Sequence, residues 1–342
     1  MDHIESDMKV IRLHAPNDLR LHDEPLPKPG PGESLVRVTA VGICGSDLHW
    51  FGEAGIGDAK LQKPLVLGHE FAGTIDEGPQ KGLRVAVDPA VPCKKCEFCL
   101  QGNPNLCTRL RFAGHGVEDG ALREYIAWPD ECLFPLPDSL SDAEGVLLEP
   151  LGVALHAVDL GKLKVGMTVG VFGAGPIGLL IQQLARLSGA QAVYVTDVLL
   201  HRLEAARSLG ATKAILAMNG NEVPDILAAT GGRGVDMAFE VAGENGAVEA
   251  AMAAVKPGGR VVLVGIPADD RTSFSASLAR RKGLTIKLVR RMKFTYPRAI
   301  QLVESGQVDV RLIVTHRFPL EKAQEAFTVA QRREGLKIII EI

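Results

Sequence analysis

The sequence predicts an α/β protein in which a mostly-β domain accompanies a doubly wound parallel sheet. Up to about residue 150 the chain contains short strand-like runs, many turns and many prolines. From Thr168 onwards, apolar strands alternate with helical segments. Such alternation is typical of a buried parallel sheet with helices on both faces. A length of 342 residues also favours two domains over one.

Composition narrows the possible classes of function. Hydrophobic residues make up 46% and charged residues 23% of the chain, as in soluble globular proteins. The net charge of −3 gives no reason to expect nucleic acid or an anionic membrane as a partner. The first nine residues are polar, and no apolar run approaches the roughly 18 residues of a membrane span. We therefore expect a cytoplasmic protein, whose six cysteines serve metal binding or catalysis rather than disulfides.

The first functional candidate follows an alternating, β-branched run at residues 36–41, which predicts a strand. Two glycines, Gly42 and Gly45, are expected to break this strand. The predicted turn then holds a thiol, a hydroxyl, a carboxylate and an imidazole, on Cys44, Ser46, Asp47 and His49. Because turns on rigid scaffolds often carry chemistry, we predict that Cys44 binds a catalytic metal.

Three further residues complete a candidate zinc site with Cys44: His69, Glu70 and Glu149. Taken singly, each could be a buried, hydrogen-bonded structural group. Together they offer sulfur, nitrogen and oxygen ligands, with one position left open for water or substrate. Adjacent residues in a strand point to opposite faces, so His69 and Glu70 can bind together only if the chain turns there. Whether Glu70 or Glu149 holds the metal at rest stays open.

The polar residues around Cys44 suggest how a proton could leave this site. A zinc ion lowers the pKa of an alcohol, and the resulting proton must reach solvent. We predict that Ser46 and His49 relay it through the ribose of the dinucleotide cofactor that is predicted below, and that Asp47 orients His69. The alternative for His49 is a surface histidine without such a role.

Four cysteines form a second candidate metal site. Their spacing is C-x2-C-x2-C-x7-C within a loop rich in Pro, Lys and Asn, and they are Cys93, Cys96, Cys99 and Cys107. Four thiolates suit a closed tetrahedral zinc site, which has no open position. An iron–sulfur cluster and a pair of disulfides are the alternatives. We interpret the site as a structural zinc that holds a lobe with little core of its own.

A glycine-rich motif opens the strand–helix half of the chain. Gly173, Gly175 and Gly178, with Ala174, Pro176 and Ile177 between them, follow a predicted strand at 168–172 and begin a helix near 176. A second strand at 192–196 ends in Asp197. Together these features are the fingerprint of a Rossmann dinucleotide-binding domain, although the glycines could also serve packing alone.

Asp197, at the end of the second strand, bears on the choice between NAD and NADP. A carboxylate at Asp197 can accept hydrogen bonds from both adenosine ribose hydroxyls, whereas a 2′-phosphate would meet a like charge. The sequence therefore predicts NAD rather than NADP as cofactor. Arg202 lies close enough along the chain to complicate this choice.

The remaining segments continue the strand–helix pattern. We predict a helix near 200–208, a strand at 235–240, a helix near 246–254 and a strand at 260–264. After about residue 285 the pattern becomes mixed, and it ends in an apolar strand at 336–340 that could return to the first domain.

Taken together, these residues resemble the zinc-dependent medium-chain dehydrogenase/reductases, most closely their polyol branch of sorbitol and xylitol dehydrogenases. The likeness covers essentially the whole chain and is carried by VGICGSDLH, LGHEFAGT, PCKKCEFC…NLC, LLEPLGVALHA, GAGPIGL and LIVTHRFPLEKAQEAF. It implies a GroES-like catalytic domain at 1–152 and 286–342 around a Rossmann NAD-binding domain at 153–285.

The resemblance also implies roles for individual residues. In that family one catalytic zinc is held by the residues matching Cys44, His69 and Glu70, with the match of Glu149 nearby, and a second zinc is structural. Substrate-pocket counterparts are Ser46, Phe112, Glu149 and Arg291. An arginine near a glutamate suits recognition of vicinal hydroxyls.

Some positions depart from the family pattern. The bridge at 76–83 is short, which changes an exposed loop. Trp50 and Phe51 replace an aromatic pair usually headed by tyrosine, and Met292 stands where tyrosine is common. Both changes remove hydroxyls from the expected pocket wall, so smaller or less hydroxylated diols become more plausible substrates than sorbitol.

The sequence thus predicts an NAD-dependent zinc dehydrogenase that oxidises a secondary alcohol of a polyol or small diol to a ketone. The alternatives are an L-threonine 3-dehydrogenase and an NAD-binding sensor without turnover. The resemblance further implies a homo-oligomer, either a dimer or a tetramer.

Overall fold

The computed structural model describes residues 7–342, and their contacts divide the chain into two units. The first unit contains the described residues up to Glu149, together with Tyr296–Glu304 and Val314–Ile342. The second contains Pro150–Thr295 and Ser305–Ile313. The boundaries expected at 152/153 and 285/286 therefore differ from this division by a few residues at the first crossing and by about ten at the second. Ser305–Ile313, which was expected in the catalytic domain, also belongs to the second unit.

Most elements of the first unit are short strands, whereas strands and helices alternate through most of the second unit. In order, the strands are β1 (Asp7–Ala15), β2 (Asp18–Pro25), β3 (Glu33–Gly42), β4 (Gly55–Ile56), β5 (Ala59–Lys60), β6 (Glu70–Glu77), β7 (Arg84–Val87), β8 (Ala90–Val91), β9 (Arg111–Phe112), β10 (Tyr125–Pro129), β11 (Leu133–Pro135), β12 (Thr168–Phe172), β13 (Ala192–Asp197), β14 (Lys213–Leu216), β15 (Val235–Glu240), β16 (Val255–Leu263), β17 (Thr285–Leu288), β18 (Val314–Pro319) and β19 (Lys337–Glu341).

The helices are α1 (Gly45–Glu53), α2 (Glu97–Leu100), α3 (Asp142–Val146), α4 (Leu148–Gly161), α5 (Pro176–Leu187), α6 (Leu200–Ser208), α7 (Glu222–Ala229), α8 (Asn245–Ala254), α9 (Ala276–Lys282), α10 (Tyr296–Glu304) and α11 (Ala323–Gln331). Among the described residues, none of these helices is long and apolar enough to cross a membrane.

The first unit is organised around β3. Its sheet has the strand order β11-β7-β6-β3-β19-β18, and β10 also pairs with β3. The end of β3 is flanked on both sides, because Gly42 pairs with Glu70 of β6 and with Ile339 of β19. Three segments that are distant in sequence thus meet at the point where the chain continues into Cys44.

An apolar core supports this sheet and anchors helix α1, which follows β3. The core combines buried side chains of β1, β3, β6 and β7 with aromatic residues of α1. Trp50 and Phe51 are each 1% exposed, and the Phe51 ring lies 5.2 Å from that of Phe327 in α11. Burial of two large aromatic side chains, each worth several kcal/mol on the order of 25 cal/mol/Å², fixes α1 on the sheet.

The second unit is a six-stranded parallel sheet with the order β14-β13-β12-β15-β16-β17. Numbered within the unit, this is the 3-2-1-4-5-6 order of a Rossmann fold. Its three central strands, β12, β13 and β15, consist almost entirely of buried residues, as expected where a parallel sheet is covered on both faces. The predicted fold class, a mostly-β domain plus a doubly wound domain, is confirmed.

Several boundaries differ from those predicted. The strand expected at 260–264 begins at Val255, and β17 extends the parallel sheet past the boundary expected at residue 285. The apolar strand near the end of the chain, β19, does return to the first unit and pairs with β3.

Candidate active site

Cys44 lies at the beginning of a helix rather than in a turn, which corrects the prediction. It is the N-cap of α1, and its backbone N–H donates to Asp47 Oδ2 at 2.9 Å. This is half of a capping box, in which an acidic residue at the third helical position satisfies the N-cap amide. The carboxylate of Asp47 therefore converts the expected glycine break into a helix start and fixes the backbone that carries the Cys44 thiol.

His69 and Glu70 share one site because the chain turns just before them. Gly68 has φ +93°, and a Cβ there would lie 2.7 Å from Val41 Cγ1, so glycine meets both the conformational and the spatial requirement. Strand β6 begins only at Glu70. Ligand atoms of Cys44, His69 and Glu70 consequently lie within 4.8 Å of one another.

Asp47 also fixes the orientation of His69. Its Oδ1 accepts the Gly68 backbone N–H at 3.3 Å and lies 3.3 Å from His69 Nδ1. A proton on Nδ1 that faces this carboxylate leaves the Nε2 lone pair free for a metal. Ser46 Oγ lies 3.4 Å from the same Nε2.

The charges of neighbouring groups stabilise the ionised forms of His69 and Asp47. Burial alone would lower the pKa of His69, but the charges of Asp47 and Cys44 outweigh it and raise that pKa well above its ordinary value. Burial likewise opposes ionisation of Asp47, yet His69 and two backbone N–H donors bring its pKa below the usual range. The cluster is thus a buried concentration of anionic groups, which is the environment that a cation requires.

Lys337, which sequence reasoning missed, braces Glu70. Its ammonium group donates to Glu70 Oε2 at 2.6 Å, to Glu70 Oε1 at 2.9 Å and to the Ile43 carbonyl at 3.0 Å. Lys337 is only 3% exposed. Burial lowers its pKa, but Glu70, with Cys44 and Asp47, outweighs that effect and raises it. The one available signal was a lysine directly before the three isoleucines of β19.

Two other predicted site residues lie near the cluster without joining it. Glu149 is buried in the first turn of α4, and the three-residue cluster of described ligand atoms does not include it. His49 is half-buried, with Nδ1 3.9 Å from Glu53 Oε1. Within residues 7–342 no hydrogen bond joins Ser46 to His49, so their proton relay stays a prediction.

The predicted substrate residues divide between the two units. Phe112 lies beside the cluster, with its ring 5.2 Å from that of His69. Arg291 belongs to the second unit and has φ +52°. The residues that replace tyrosine in the family pattern, Trp50, Phe51 and Met292, are all buried.

The four predicted zinc-binding cysteines also come together. Their sulfur atoms lie within 4.8 Å of one another, and the Cys96 and Cys99 sulfurs are 3.5 Å apart. Zinc–sulfur bonds of about 2.3 Å in a tetrahedron place sulfurs roughly 3.8 Å apart, so the geometry fits one ion. Backbone N–H groups of Cys93 and Arg109 donate to Cys107 Sγ at 3.2 and 3.4 Å.

The thiols of this lobe differ in acidity. Hydrogen bonds from the Lys95 backbone lower the pKa of Cys93 to about 6. Burial, with crowding by Cys96 and Cys107, raises the pKa of Cys99 to about 12. Four sulfurs that compete for so little space are stabilised as thiolates only when a cation sits among them.

The glycine motif adopts the conformation that its sequence predicts. Gly173 has φ +111°, and a Cβ on Gly178 would lie 1.9 Å from the Gly173 carbonyl oxygen. By contrast, a Cβ on Gly175 would find only Arg202 Nη1, at 3.7 Å. Gly175 is the N-cap of α5 and Pro176 occupies its first turn. The N-terminus of α5 is not covered by side chains, and a ligand can approach its glycine backbone closely. These two features suit the binding of a pyrophosphate group.

Asp197 ends β13 beside this motif. Its Oδ2 accepts the Ala174 N–H at 2.8 Å and its Oδ1 accepts the Leu199 N–H at 2.9 Å. Arg202 Nη1 lies 3.8 Å from Asp197 Oδ2. The carboxylate is therefore held in one position, with a guanidinium group close by.

Comparison with known proteins gives a consistent result. A family model for zinc-binding dehydrogenases matches residues 176–305, and one for the alcohol dehydrogenase GroES-like domain matches residues 30–138. The sorbitol dehydrogenase of Bacillus subtilis is 36% identical over 98% of both chains. The human sorbitol dehydrogenase is 37% identical over 96% of this chain and 94% of its own.

A solved structure agrees with these relatives. The 2R,3R-butanediol dehydrogenase of Bacillus subtilis superposes with a TM-score of 0.86 at 31% identity, covering 98% of this chain and 99% of its own. The match extends over both units and over the segments that carry both cysteine-containing clusters. The chain belongs to the zinc-dependent medium-chain dehydrogenase/reductase family, within its polyol dehydrogenase branch.

Proposed function

We propose that the protein is an NAD-dependent dehydrogenase that oxidises a secondary hydroxyl of a polyol or small diol to a ketone. The observation that carries the proposal is the cluster of Cys44, His69 and Glu70, with three different ligand atoms within 4.8 Å. Mixed sulfur, nitrogen and oxygen ligands in a set of three are typical of catalytic zinc, which keeps a position for substrate.

Two zinc ions and one dinucleotide fit the chain's residues. We assign the catalytic zinc to Cys44, His69 and Glu70, the structural zinc to the four cysteines of the lobe, and NAD to residues 173–178 with Asp197. When bound, the catalytic zinc acidifies the substrate hydroxyl and NAD accepts the hydride. The fixed carboxylate of Asp197 favours NAD, because the 2′-phosphate of NADP would meet its charge despite the nearby Arg202.

Glu70 is the better candidate than Glu149 for the resting ligand. It belongs to the cluster, and Lys337 holds both of its oxygens at 2.6 and 2.9 Å. A carboxylate has about four lone-pair positions, so one ammonium group does not exhaust its capacity to bind a metal. Hydrogen bonds of this kind hold a ligating carboxylate in one orientation. Glu149 remains the candidate for transient exchange.

The proton path that we propose begins at Ser46. Its hydroxyl lies 3.4 Å from His69 Nε2, so it stands beside the position where a substrate oxygen would approach the cluster. His49 lies one turn further along α1 and is half-buried, which supports a role for its imidazole in passing the proton towards solvent. Asp47 keeps His69 in one tautomer during the transfer.

The substrate class follows from the family and from the pocket residues. Relatives include sorbitol dehydrogenases and a butanediol dehydrogenase. We propose that Ser46, Phe112, Glu149 and Arg291 contact the substrate, with charge-assisted hydrogen bonds to neighbouring hydroxyls. We also propose a dimer or tetramer, which light scattering of the purified protein measures.

A substrate panel tests this function. Purified protein is incubated with sorbitol, xylitol, 2,3-butanediol or L-threonine, with NAD or NADP, and reduction is followed at 340 nm. We expect NAD reduction with a polyol or diol, and loss of that activity with a zinc chelator. Activity on L-threonine alone would make the protein a threonine dehydrogenase. A higher kcat/KM with NADP would refute the role given to Asp197.

A further inference from the structure

Gly42 ends β3 for a different reason from the one that requires glycine at Gly68. Its φ lies outside the left-handed region, so other residues could adopt the same backbone conformation. The position is buried and paired on both sides, with Glu70 of β6 and Ile339 of β19. The absence of a side chain at Gly42 therefore meets a spatial requirement.

A side chain on Gly42 would occupy the place of the Glu70 carboxylate. A Cβ at this position would lie 2.4 Å from Glu70 Oε2 and 3.3 Å from Glu70 Cβ. Side chains of residues directly opposite in an antiparallel pair project from the same face of the sheet. The Glu70 side chain can therefore fold back over β3 only because its partner has no Cβ. We call the space above Gly42 the glycine slot.

The glycine slot holds the oxygen on which the arrangement of the site depends. Oε2 is the atom that Lys337 Nζ binds at 2.6 Å, and a carboxylate oxygen of Glu70 belongs to the cluster with Cys44 and His69. In Gly42→Ala, Oε2 must move by about 1 Å to regain an ordinary van der Waals separation. A displacement of this size can break a hydrogen bond and exceeds the ~0.2 Å that a zinc–oxygen bond tolerates.

Core packing is the competing explanation for the same glycine. The added Cβ would also lie 2.7 Å from Cγ1 of Val146, which is fully buried in α3. The contact with Glu70 is the closer of the two. A glutamate carboxylate also moves more readily, because it ends a flexible side chain, whereas the valine side chain is stiff at χ1. The carboxylate is therefore the group that should give way.

We propose that Gly42 is a positioning residue for the catalytic metal, because the glycine slot lets the Glu70 carboxylate contact Lys337 and the ion together. This inference rests on the proposed function, since the ion is the one assigned to Cys44, His69 and Glu70. Gly42 acts through Glu70 and contacts neither substrate nor cofactor in this role. One added methyl group should therefore weaken metal binding while the fold is retained.

Gly42→Ala tests this role, with Gly45→Ala as its matched control. Gly45 also has an ordinary φ, and a Cβ there meets no atom within 4 Å. Competition with a chromogenic chelator measures zinc affinity. Cobalt(II) in place of zinc gives visible absorption bands that distinguish an ion with sulfur, nitrogen and oxygen ligands from an ion with four thiolates. We expect Gly42→Ala to bind the catalytic zinc about 10- to 100-fold more weakly, with altered bands of the mixed-ligand ion only. Gly45→Ala should match the parent.

Two further backgrounds identify the neighbour through which Gly42 acts. Glu70→Gln keeps an acceptor for Lys337 but loses the charged ligand, so adding Gly42→Ala should weaken zinc binding by less than about twofold more. Val146→Ala relieves the packing contact. In that background, Gly42→Ala should weaken zinc binding as much as it does in the parent. Thermal unfolding checks that each variant folds.

Several results would overturn the proposal. Equal zinc affinity in Gly42→Ala and Gly45→Ala would show that the glycine slot is not needed. Zinc binding restored by Val146→Ala, or an undiminished loss in the Glu70→Gln background, would make Gly42 a packing residue. If Gly42→Ala does not fold, Gly42→Ala/Val146→Ala replaces it, and failure of this variant to fold would also count against the proposal. A parent that binds only the zinc of the four cysteines would instead refute the catalytic zinc of the proposed function.

Discussion

The first unit contains two clusters of metal-ligating residues, built in opposite ways. The four cysteines lie within one loop at 93–107, and three of the four are half-buried rather than buried. The cluster of Cys44, His69 and Glu70 draws its ligands from two separate segments and has two buried members. Local spacing is sufficient for the first cluster, whereas the second requires the completed sheet.

The difference extends to the residues around the ligands. The cysteine lobe supplies mainly backbone N–H donors to its sulfurs. The mixed cluster is braced by two buried charged side chains, Asp47 against His69 and Lys337 against Glu70. The four-cysteine cluster therefore becomes ordered when an ion binds. The cluster of Cys44, His69 and Glu70 is held in position by its neighbours before an ion binds. Substitutions can test this contrast.

The largest effect is expected in the lobe. Cys96→Ser should remove one zinc per chain, with a loss of local folding free energy on the order of 10 kcal/mol. Metal analysis and thermal unfolding measure the two effects. Cys132→Ser is the matched control, because Cys132 is a buried cysteine outside both clusters. Unchanged zinc content in Cys96→Ser would contradict a structural ion.

The mixed cluster should respond in activity more than in folding. Cys44→Ser replaces a soft ligand, and we expect kcat/KM to fall at least about a thousandfold, since zinc contributes several kcal/mol to the transition state. The unfolding temperature should stay close to that of the parent. A variant that keeps its activity but unfolds early would reverse the roles assigned to the two clusters.

Breaking the buried ion pair between Lys337 and Glu70 should lower the stability of the protein substantially. Lys337→Met leaves a buried carboxylate without its partner, which destabilises a protein by about 3–5 kcal/mol. The control is Arg317→Met on the neighbouring strand β18, which breaks an exposed pair with Glu341 and should change stability by only about 0–1 kcal/mol. Chemical denaturation compares the two variants. Equal effects would mean that Glu70 does not depend on Lys337.

The smallest effect is expected at Asp47. Asp47→Asn keeps an oxygen for the Cys44 amide but removes the charge that faces His69. Removing such a partner typically reduces metal affinity or activity about 10- to 100-fold. Competition with a chromogenic chelator measures the affinity, and Asp18→Asn at an exposed pair is the control. If zinc affinity in Asp47→Asn equals that in the control, Asp47 does not orient His69.

Features that depend on local spacing could be predicted from the sequence. The fold class is confirmed because strand–helix alternation and the glycine fingerprint involve residues close together in the chain. The four cysteines and the glycines at 173–178 lie together for the same reason. The start of α1 at Cys44 had a local signal as well, since Asp47 stands at the third helical position of a capping box, but glycine on either side of Cys44 suggested a turn.

The missed features depend on contacts between distant segments. Lys337 and Glu70 are 267 residues apart, and Gly42 meets Glu70 from a separate strand. No local pattern pairs such residues, because their meeting depends on the register of β3 with β6 and β19. The simultaneous approach of His69 and Glu70 likewise depends on the left-handed turn at Gly68, which a strand pattern does not reveal.

The position of Lys337 in the chain sets an order of assembly during synthesis. The cysteine lobe has all its ligands once residue 107 has left the ribosome. The mixed cluster has its ligands by residue 70, but Glu70 lacks its counter-charge until β19 emerges and pairs with β3. A nascent chain can therefore accept the ion that we assign to the lobe early. The site that we assign to the catalytic ion is complete only after β19 has been synthesised.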